Sequence, residues 1–402
     1  MSDFLSAWGE ASKTSLGFFW KAGWAFVMGY SVSGMIQAFV PKARLTRHMG
    51  DPGFESVSLA TVFGAASSSC SFAALAAARS LVLKGAHFVA AVAFMFASTN
   101  LVVELGVLIL IFLGWQFLAA EIVGGLLLIA VSTVLIRLTY PRSWMEAARK
   151  KVEEEAEAEE DDFDWKKRIR SRYGWHLVGH KFAMDWKMVW QEIVIGFTVA
   201  GFVAVLVPAA LWERIFLTEA AGSLPGWIVV LENAMVAPFV AAATFIGSMG
   251  NIPLATVLNA NGVLFAGIMG FIYSDLMVPP LVAINAKYYG LRVALYIAAV
   301  MWVSIVITAV TLHGLFGFLG LTPESARTVE DVAHFAIDYT FWLNLAMAVV
   351  AVVMVLLHRQ HLRQHVDDGG MSESGGKVKT AVTWVMIAIV AGGLISWAVT
   401  SW

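Results

Sequence analysis

Apolar runs long enough to cross a bilayer recur along almost the whole chain. They lie at about 16–39, 86–113, 115–137, 188–211, 263–284, 291–318, 336–357 and 380–400. Each approaches the roughly 20 residues that a membrane helix needs. Two other apolar stretches, about 56–83 and 226–260, carry Gly, Ser, Asn or Pro near their middle. An unbroken helix is disfavoured there. The pattern predicts an all-α, polytopic membrane protein with about eight to ten transmembrane segments, two of them broken or re-entrant helical hairpins. Polar segments are few. Residues 140–187 hold "EEEAEAEEDDFDW" beside "KKRIRSR" and read as a solvated linker. Residues 358–379 read as a connector, and 319–335 as a short, mildly acidic link.

Basic residues set the orientation, because Lys and Arg accumulate in cytoplasmic loops. They cluster at Lys42, Arg44 and Arg47, through 149–170, at Lys287 and Arg292, and at Arg359 and Arg363. If both broken stretches crossed the membrane, the basic loops 41–50 and 140–187 would fall on opposite faces. If each returns to its own side, every basic loop lies inside. The order span, hairpin, span, span then occurs twice with opposite orientation, an inverted-topology repeat of the kind that places a transport site between two halves. The expected division is a first membrane repeat at 1–139, a charged cytoplasmic loop at 140–187, a second repeat at 188–318, and two additional C-terminal spans with a cytoplasmic connector at 319–402. A shift of 177 residues aligns Gly85 with Gly262, Phe94 with Phe271, Ala97 with Ser274 and Ser98 with Asp275. The aligned residues are few, and chance similarity between two membrane segments competes with a true repeat.

Composition agrees with a membrane location. The 402 residues are 59% hydrophobic and 14% charged, against about a quarter charged in soluble domains. A net charge of -2 and the lack of a basic, aromatic-rich patch give no sign of nucleic-acid binding. One cysteine excludes an internal disulfide. The first residues show no basic n-region followed by a cleavage site, so no removable signal peptide is expected.

The candidate chemistry sits where polar residues interrupt apolar runs. In "GAASSSCSFAALAAARSLVLKG", Gly64 to Gly85, Ser67 to Ser71 form an unbroken row of hydroxyls and one thiol. Irregular backbone at membrane depth must be buried by protein or wetted by water. Small residues also let helices approach closely. The row is therefore either a packing device or a substrate cradle, and the two readings are compatible. Its counterpart is "GSMGNIP", with Ser248, Asn251 and Pro253. In "FASTNLVVELG", Ser98, Thr99 and Asn100 interrupt a span, and the i, i+4 spacing puts Asn100 and Glu104 on one helical face. "FIYSDLMVPP" supplies Ser274 and Asp275 before Pro279 and Pro280, which should break that span. A mid-span carboxyl is costly and usually faces an internal cavity. The substrate-binding candidates are Ser69, Cys70, Ser71, Ser98, Thr99, Asn100, Ser248, Asn251 and Ser274, with Glu104 and Asp275 coupling an ion. Weaker candidates are Lys21, Glu121, Glu192, expected at an interface, and Glu232 with Asn233. The His pairs at 176 and 180 and at 361 and 365 have metal-pair spacing but lie in polar loops without cysteine, so no metal site is assigned. No phosphate-loop, H-E-x-x-H or G-x-S-x-G motif occurs, and no cofactor is expected.

The stretch "CSFAALAAARSLVLKGAHFVAAVAFMFASTNLVVELG" resembles the first signature of the predicted-permease family that includes ArsP-like organoarsenical efflux permeases and YraQ-type proteins. "SMGNIPLATVLNANGVLFAGIMGFIYSDLMVPPL" resembles the second. The likeness covers roughly 15–135 and 188–318. It implies export of a small substrate. In the family the first signature often reads C-x-C-G-x-x-P; here the second Cys position is Phe72 and the proline position is Ala76. Soft metals and metalloids favour thiolates, and a single thiol in a monomer cannot capture one bidentately, which puts an arsenical substrate in doubt. The expected protein is a secondary-active permease of the plasma (inner) membrane, not an enzyme. Its partners are membrane lipids, a small-molecule substrate and a coupling proton, with homo-oligomerisation left open. A non-transporting scaffold or sensor, and a membrane enzyme using Cys70, are the competing readings.

Overall fold

A computed structural model describes residues 2–39, 49–51, 53–67, 71–83, 85–139, 165–218, 223–244, 246–323, 329–364 and 377–400. Among these the chain is helical throughout, with no strand. The first run of helices is α1 (Ser2–Phe39), α2 (Phe54–Ser67), α3 (Ser71–Leu83), α4 (Phe88–Asn100), α5 (Val103–Phe112) and α6 (Trp115–Thr139). A short α7 (Trp165–Arg170) leads into α8 (Arg172–Leu206) and α9 (Ala209–Ile215). Next come α10 (Gly226–Thr244), α11 (Ser248–Ala260), α12 (Phe265–Ile272), a 3₁₀ turn (Tyr273–Met277), α13 (Pro279–Tyr289) and α14 (Leu291–Phe318). The chain ends with α15 (Val329–Val332), α16 (Tyr339–Gln364) and α17 (Lys377–Thr400).

Among the described residues, six helices are long and apolar enough to cross a membrane: α6, α8, α10, α14, α16 and α17. Two bent pairs raise the number to eight, α4 with α5 at 42° and the 265–277 segment with α13 at 41°. The apolar runs at 86–113 and 263–284 are thus broken, not single straight helices. At the second break Pro279 and Pro280 occupy the first helical positions after an extended Val278, where a missing N–H costs nothing. The first break has no proline. Ser98 and Thr99 bond back to the Met95 carbonyl and Asn100 to that of Phe96, which weakens the helix end. Val102 is then extended. Asn100 ends one helix and Glu104 lies in the first turn of the next, so their spacing does not put them on one helical face.

The helix α1 spans 38 residues, yet it is not among the six. It contacts α8, α16, α17 and α5. Its Ser12, Ser15, Lys21, Ser31 and Ser33 are buried against protein, so lipid compatibility does not constrain its sequence. The opposite holds for α16 and α17, whose spans are only 11% buried. They present Trp342, Val349, Val352, Trp384 and Ile395 outward, the surface a bilayer covers.

Each interrupted stretch holds two described helices, not one: α2 ends at Ser67 and α3 starts at Ser71, and α10 ends at Thr244 and α11 starts at Ser248. The His87 amide donates to the Met49 carbonyl at 2.7 Å. Farther along, a Cβ on Gly64 would sit 2.5 Å from the Phe94 carbonyl oxygen and 2.7 Å from Ala97 Cβ. Contacts that advance together mean α2 and α4 run in the same direction, so α3 returns between them to the level where α2 began. The second half repeats this. Leu264 donates to Asn233 Oδ1 at 3.1 Å, and Gly270 packs on Ala234 and Ala237, which makes α10 and α12 parallel. Helix starts coincide under a near-constant shift: Ser71 and Ser248, Phe88 and Phe265, Val103 and Pro279, Trp115 and Leu291 are 177, 177, 176 and 176 apart. Gly85 and Gly262 both have positive φ, 92° and 79°, which only glycine adopts cheaply in these connections.

Candidate functional site

The starts of α3 and α11, each the second arm of a broken stretch, converge on the 3₁₀ turn. Ser71 Oγ donates to Asp275 Oδ2 at 2.9 Å across 204 residues of sequence. Ser248 faces the same carboxyl, although Oδ1 has no hydrogen-bond partner among the described residues. Asp275 is 0% exposed. Its charge has no basic partner among the described residues. The first N–H groups of a helix carry partial positive charge. Two such helix starts beside Asp275, plus one serine hydroxyl, therefore compensate a carboxylate that bulk water does not reach. The arms also exchange partners between halves: α3 packs on α13, and α11 on α5.

A second carboxyl belongs to this centre. Glu121 of α6 is 1% exposed, and neither of its oxygens has a hydrogen-bond partner among the described residues. It lies within electrostatic reach of Asp275 and Tyr273. The Tyr273 hydroxyl donates to the Ala120 carbonyl at 2.9 Å, seating the turn on α6. Gly124 makes room for it, since a Cβ there would collide with that hydroxyl. Glu121 was only a weaker candidate in the residue pattern. Its signal was a glutamate in the first two turns of an otherwise apolar helix, followed by a Gly-Gly pair.

The remaining candidates fall in different places. Ser274 bonds to the Gly270 carbonyl of its own helix. Asn251 braces the junction of α10 and α11, donating to the Ile246 carbonyl at 3.4 Å and accepting from Thr244 Oγ1 at 3.4 Å. Ser98, Thr99 and Asn100 are buried at the end of α4. Asn100 Oδ1 has no hydrogen-bond partner among the described residues. Ser69 and Cys70 lie outside the described residues.

Glu104, 1% exposed, belongs to a separate polar centre between α1, α5 and α8. A Cβ on Gly29 would run into its side chain. Asp185 of α8 lies within its electrostatic reach. Asp185 Oδ2 accepts from Gln37 Nε2 at 2.8 Å and Ser33 Oγ at 3.0 Å. This aspartate was not singled out from the sequence. It falls in the stretch assigned to a charged loop, 140–187, yet α8 begins at Arg172 and carries it into the bundle.

Other polar residues have structural partners. Asn233 donates to the Phe216 and Val229 carbonyls at 2.6 and 2.9 Å, and its Oδ1 accepts from Leu264, so it clamps α10 to the start of α12. Glu192 pairs with Lys379 of α17 at 3.0 Å and abuts Gly247, just before α11. Lys21 pairs with Asp338 at 3.6 Å. Burial pushes the Asp338 carboxyl up, but bonds from Thr340 and the Lys21 ammonium outweigh it and hold the group below its ordinary 3.8. His180 packs on His358 and His361 at ring separations of 5.2 and 4.6 Å. No group of three or more potential metal ligands occurs among the described residues.

Many apolar membrane-length helices, two broken stretches and buried carboxyls where their arms meet fit a multi-pass membrane transporter of the permease type. Residues 7–314 match the family model ArsP_1, described as a predicted permease, and the chain belongs to that family. It is 37% identical over 328 residues to the protein named "Putative permease Rv2963" from Mycobacterium tuberculosis, covering 79% of this chain and 80% of that one. No solved structure matches.

Proposed function

We propose that the chain is a secondary-active permease of the plasma (inner) membrane that exports a small solute by alternating access. The carrying observation is the meeting of Ser71, from the first half, with Asp275, from the second. In this reading 1–139 and 188–318 are membrane repeats of opposite orientation, and each broken stretch is a re-entrant hairpin. The 140–187 segment is cytoplasmic up to the start of α8, and 319–402 adds two peripheral spans. The shared direction of α2 and α4, and of α10 and α12, supports hairpins that return to their own side. The distribution of Lys and Arg supports opposite orientations.

Ser69, Cys70, Ser71, Ser248, Asn251 and Ser274 line the substrate path, and Ser98, Thr99 and Asn100 flank it on α4. Asp275 holds the coupling proton, with Glu121 beside it. Two neighbouring carboxyls in a dry site cannot both be ionised at low cost, so one proton is shared there or replaced by substrate. Glu104, with Asp185, forms a second proton-holding centre. Asp275 is wholly buried, so the two halves must move apart for substrate to reach it. The substrate is a small neutral or anionic solute, with metalloids and organoarsenicals among the compounds to test.

The test is growth of a sensitised host expressing the chain, Cys70→Ser or Asp275→Asn, over a panel of arsenicals, antimonials and other toxic solutes. Protection by the native chain that Asp275→Asn abolishes is the expected result. Loss in Cys70→Ser as well adds a thiol-dependent substrate. Protection fully retained by Asp275→Asn refutes the coupling role, and no protection against any compound removes the metalloid reading.

A further inference from the structure

A basic cavity of about 670 Å³ opens where the start of α8 meets the end of α16, and none of its lining residues belongs to the Asp275 centre. Arg170, Arg172 and Arg363 line it, and none of the three has an ion pair among the described residues. Its inner wall is fixed. His176 is buried, and its Nδ1 lies 3.1 Å from Gln364 Oε1, tying the two helices together. Three guanidinium groups around one hollow repel each other unless an anion joins them. Guanidinium forks match phosphate oxygens in pairs. The volume is that of a small-molecule site.

The surroundings select the kind of phosphate. Trp175 lines the cavity half-exposed, packs edge-on against Phe39 and donates to the Ile169 carbonyl at 3.1 Å. A fixed, half-exposed indole is a membrane-interface anchor. Leading away from the cavity along α16, Val353 and Leu356 are 47% and 50% exposed. A ligand with a phosphate head and apolar tails meets both surfaces at once, whereas a free anion meets only the arginines. We propose that this cavity binds the headgroup of an anionic phospholipid from the cytoplasmic leaflet, with its acyl chains along α16. Anionic lipids give that leaflet a negative surface, and basic pockets between membrane helices hold their headgroups. A bound headgroup pins α16 to α8, whose other faces pack on α1 and α11.

The full-length protein, purified in detergent, would be titrated with short-chain phosphatidylglycerol, with phosphatidylcholine of the same chain length, and with sodium phosphate. Native mass spectrometry reads bound lipid. Phosphatidylglycerol should bind in preference to phosphatidylcholine, and more weakly as salt rises. The double variant Arg172→Gln/Arg363→Gln should bind it about 30-fold more weakly, from roughly fivefold per basic residue at a membrane surface. Arg172→Lys/Arg363→Lys should recover most of that loss. Both side chains are exposed, so an unchanged melting temperature would confirm intact folding. Equal binding of the two lipids, or binding unmoved by the Gln variant, overturns the proposal. Displacement of lipid by millimolar phosphate makes the ligand a soluble anion and overturns the lipid assignment.

Discussion

The Ser71–Asp275 hydrogen bond can be measured as a coupling energy. The two groups lie 2.9 Å apart, on the start of α3 and the 3₁₀ turn, and both residues are buried. Neutral hydrogen bonds between membrane helices average about 0.6 kcal/mol in double-mutant cycles. Hydrogen bonds to an ionised partner are roughly twice as strong, and those to charged groups are worth about 1.5–3 kcal/mol. When Asp275 is ionised, Ser71, Ser248, the Leu276 amide and two helix starts replace water around it, so the upper part of the membrane range applies to that form. The expected coupling between Ser71→Ala and Asp275→Ala is about 1.5 kcal/mol. The cavity left by Asp275→Ala is common to the single and double variants and cancels in the cycle. Ser71→Ala alone should cost about 2 kcal/mol, because it also leaves a buried acceptor less satisfied. The assay is reversible unfolding in mixed micelles at alkaline pH, where the coupling proton has left Asp275. At low pH, with Asp275 protonated, the coupling should fall toward the neutral value. A coupling below about 0.5 kcal/mol at alkaline pH would refute the docking of α3 on the second half through a charged acceptor.

Close helix contacts give two further tests. Gly64→Ala sets a Cβ against the backbone of α4, 2.5 Å from the Phe94 carbonyl oxygen, and should destabilise by about 1–3 kcal/mol; an unchanged unfolding midpoint would mean that α2 does not pack there. Gly29→Ala meets the inner carbons of Glu104, which cannot swing clear, and should cost a similar amount; combining it with Glu104→Ala should restore much of the loss. Replacing Asp185 with Ala removes the acceptor that Ser33 and Gln37 share and should cost about 2 kcal/mol, with Asp185→Asn nearer neutral; equal losses would show that the charge matters and not the hydrogen bonds. The Asp338 carboxyl is held low in the folded state, so its contribution is present above pH 3.8 and fades as pH falls through its folded value. The melting-temperature gap between the native chain and Asp338→Asn should therefore be clear at pH 7 and close below about pH 4. A gap that widens on acidification would reverse the sign of that argument.

Several features were legible in the residues alone. The apolar run 291–318 became α14 with the same bounds, because a lipid-facing helix must be apolar over its full length. The interruptions at Ser67–Ser71 and Ile246–Pro253 marked real helix breaks, since small and hydroxyl-bearing side chains are what a break in a membrane interior tolerates. Pro279 and Pro280 marked another. The break after Asn100 was not legible. It comes from side chains bonding to their own backbone, and the same residues occur inside straight helices. Asp185 was missed because it falls at the end of the stretch read as a charged loop, whereas its neighbours in space are Ser33 and Gln37 of α1.

Sequence by itself determined the solvent: a chain with mean hydropathy +0.74 and repeated 20-residue apolar runs must build helices across a bilayer. It also marked which residues would be expensive to bury there, among them Glu104, Glu121 and Asp275. Only the tertiary structure decided how that expense is offset. Asp275 is met by a serine 204 residues away and by two helix starts, Glu121 lies beside it, and Glu104 shares a different centre with Asp185. Hydropathy is a property of each segment and can be summed along the chain. Electrostatic compensation depends on separations of a few ångströms between segments, which the fold sets and no local pattern encodes.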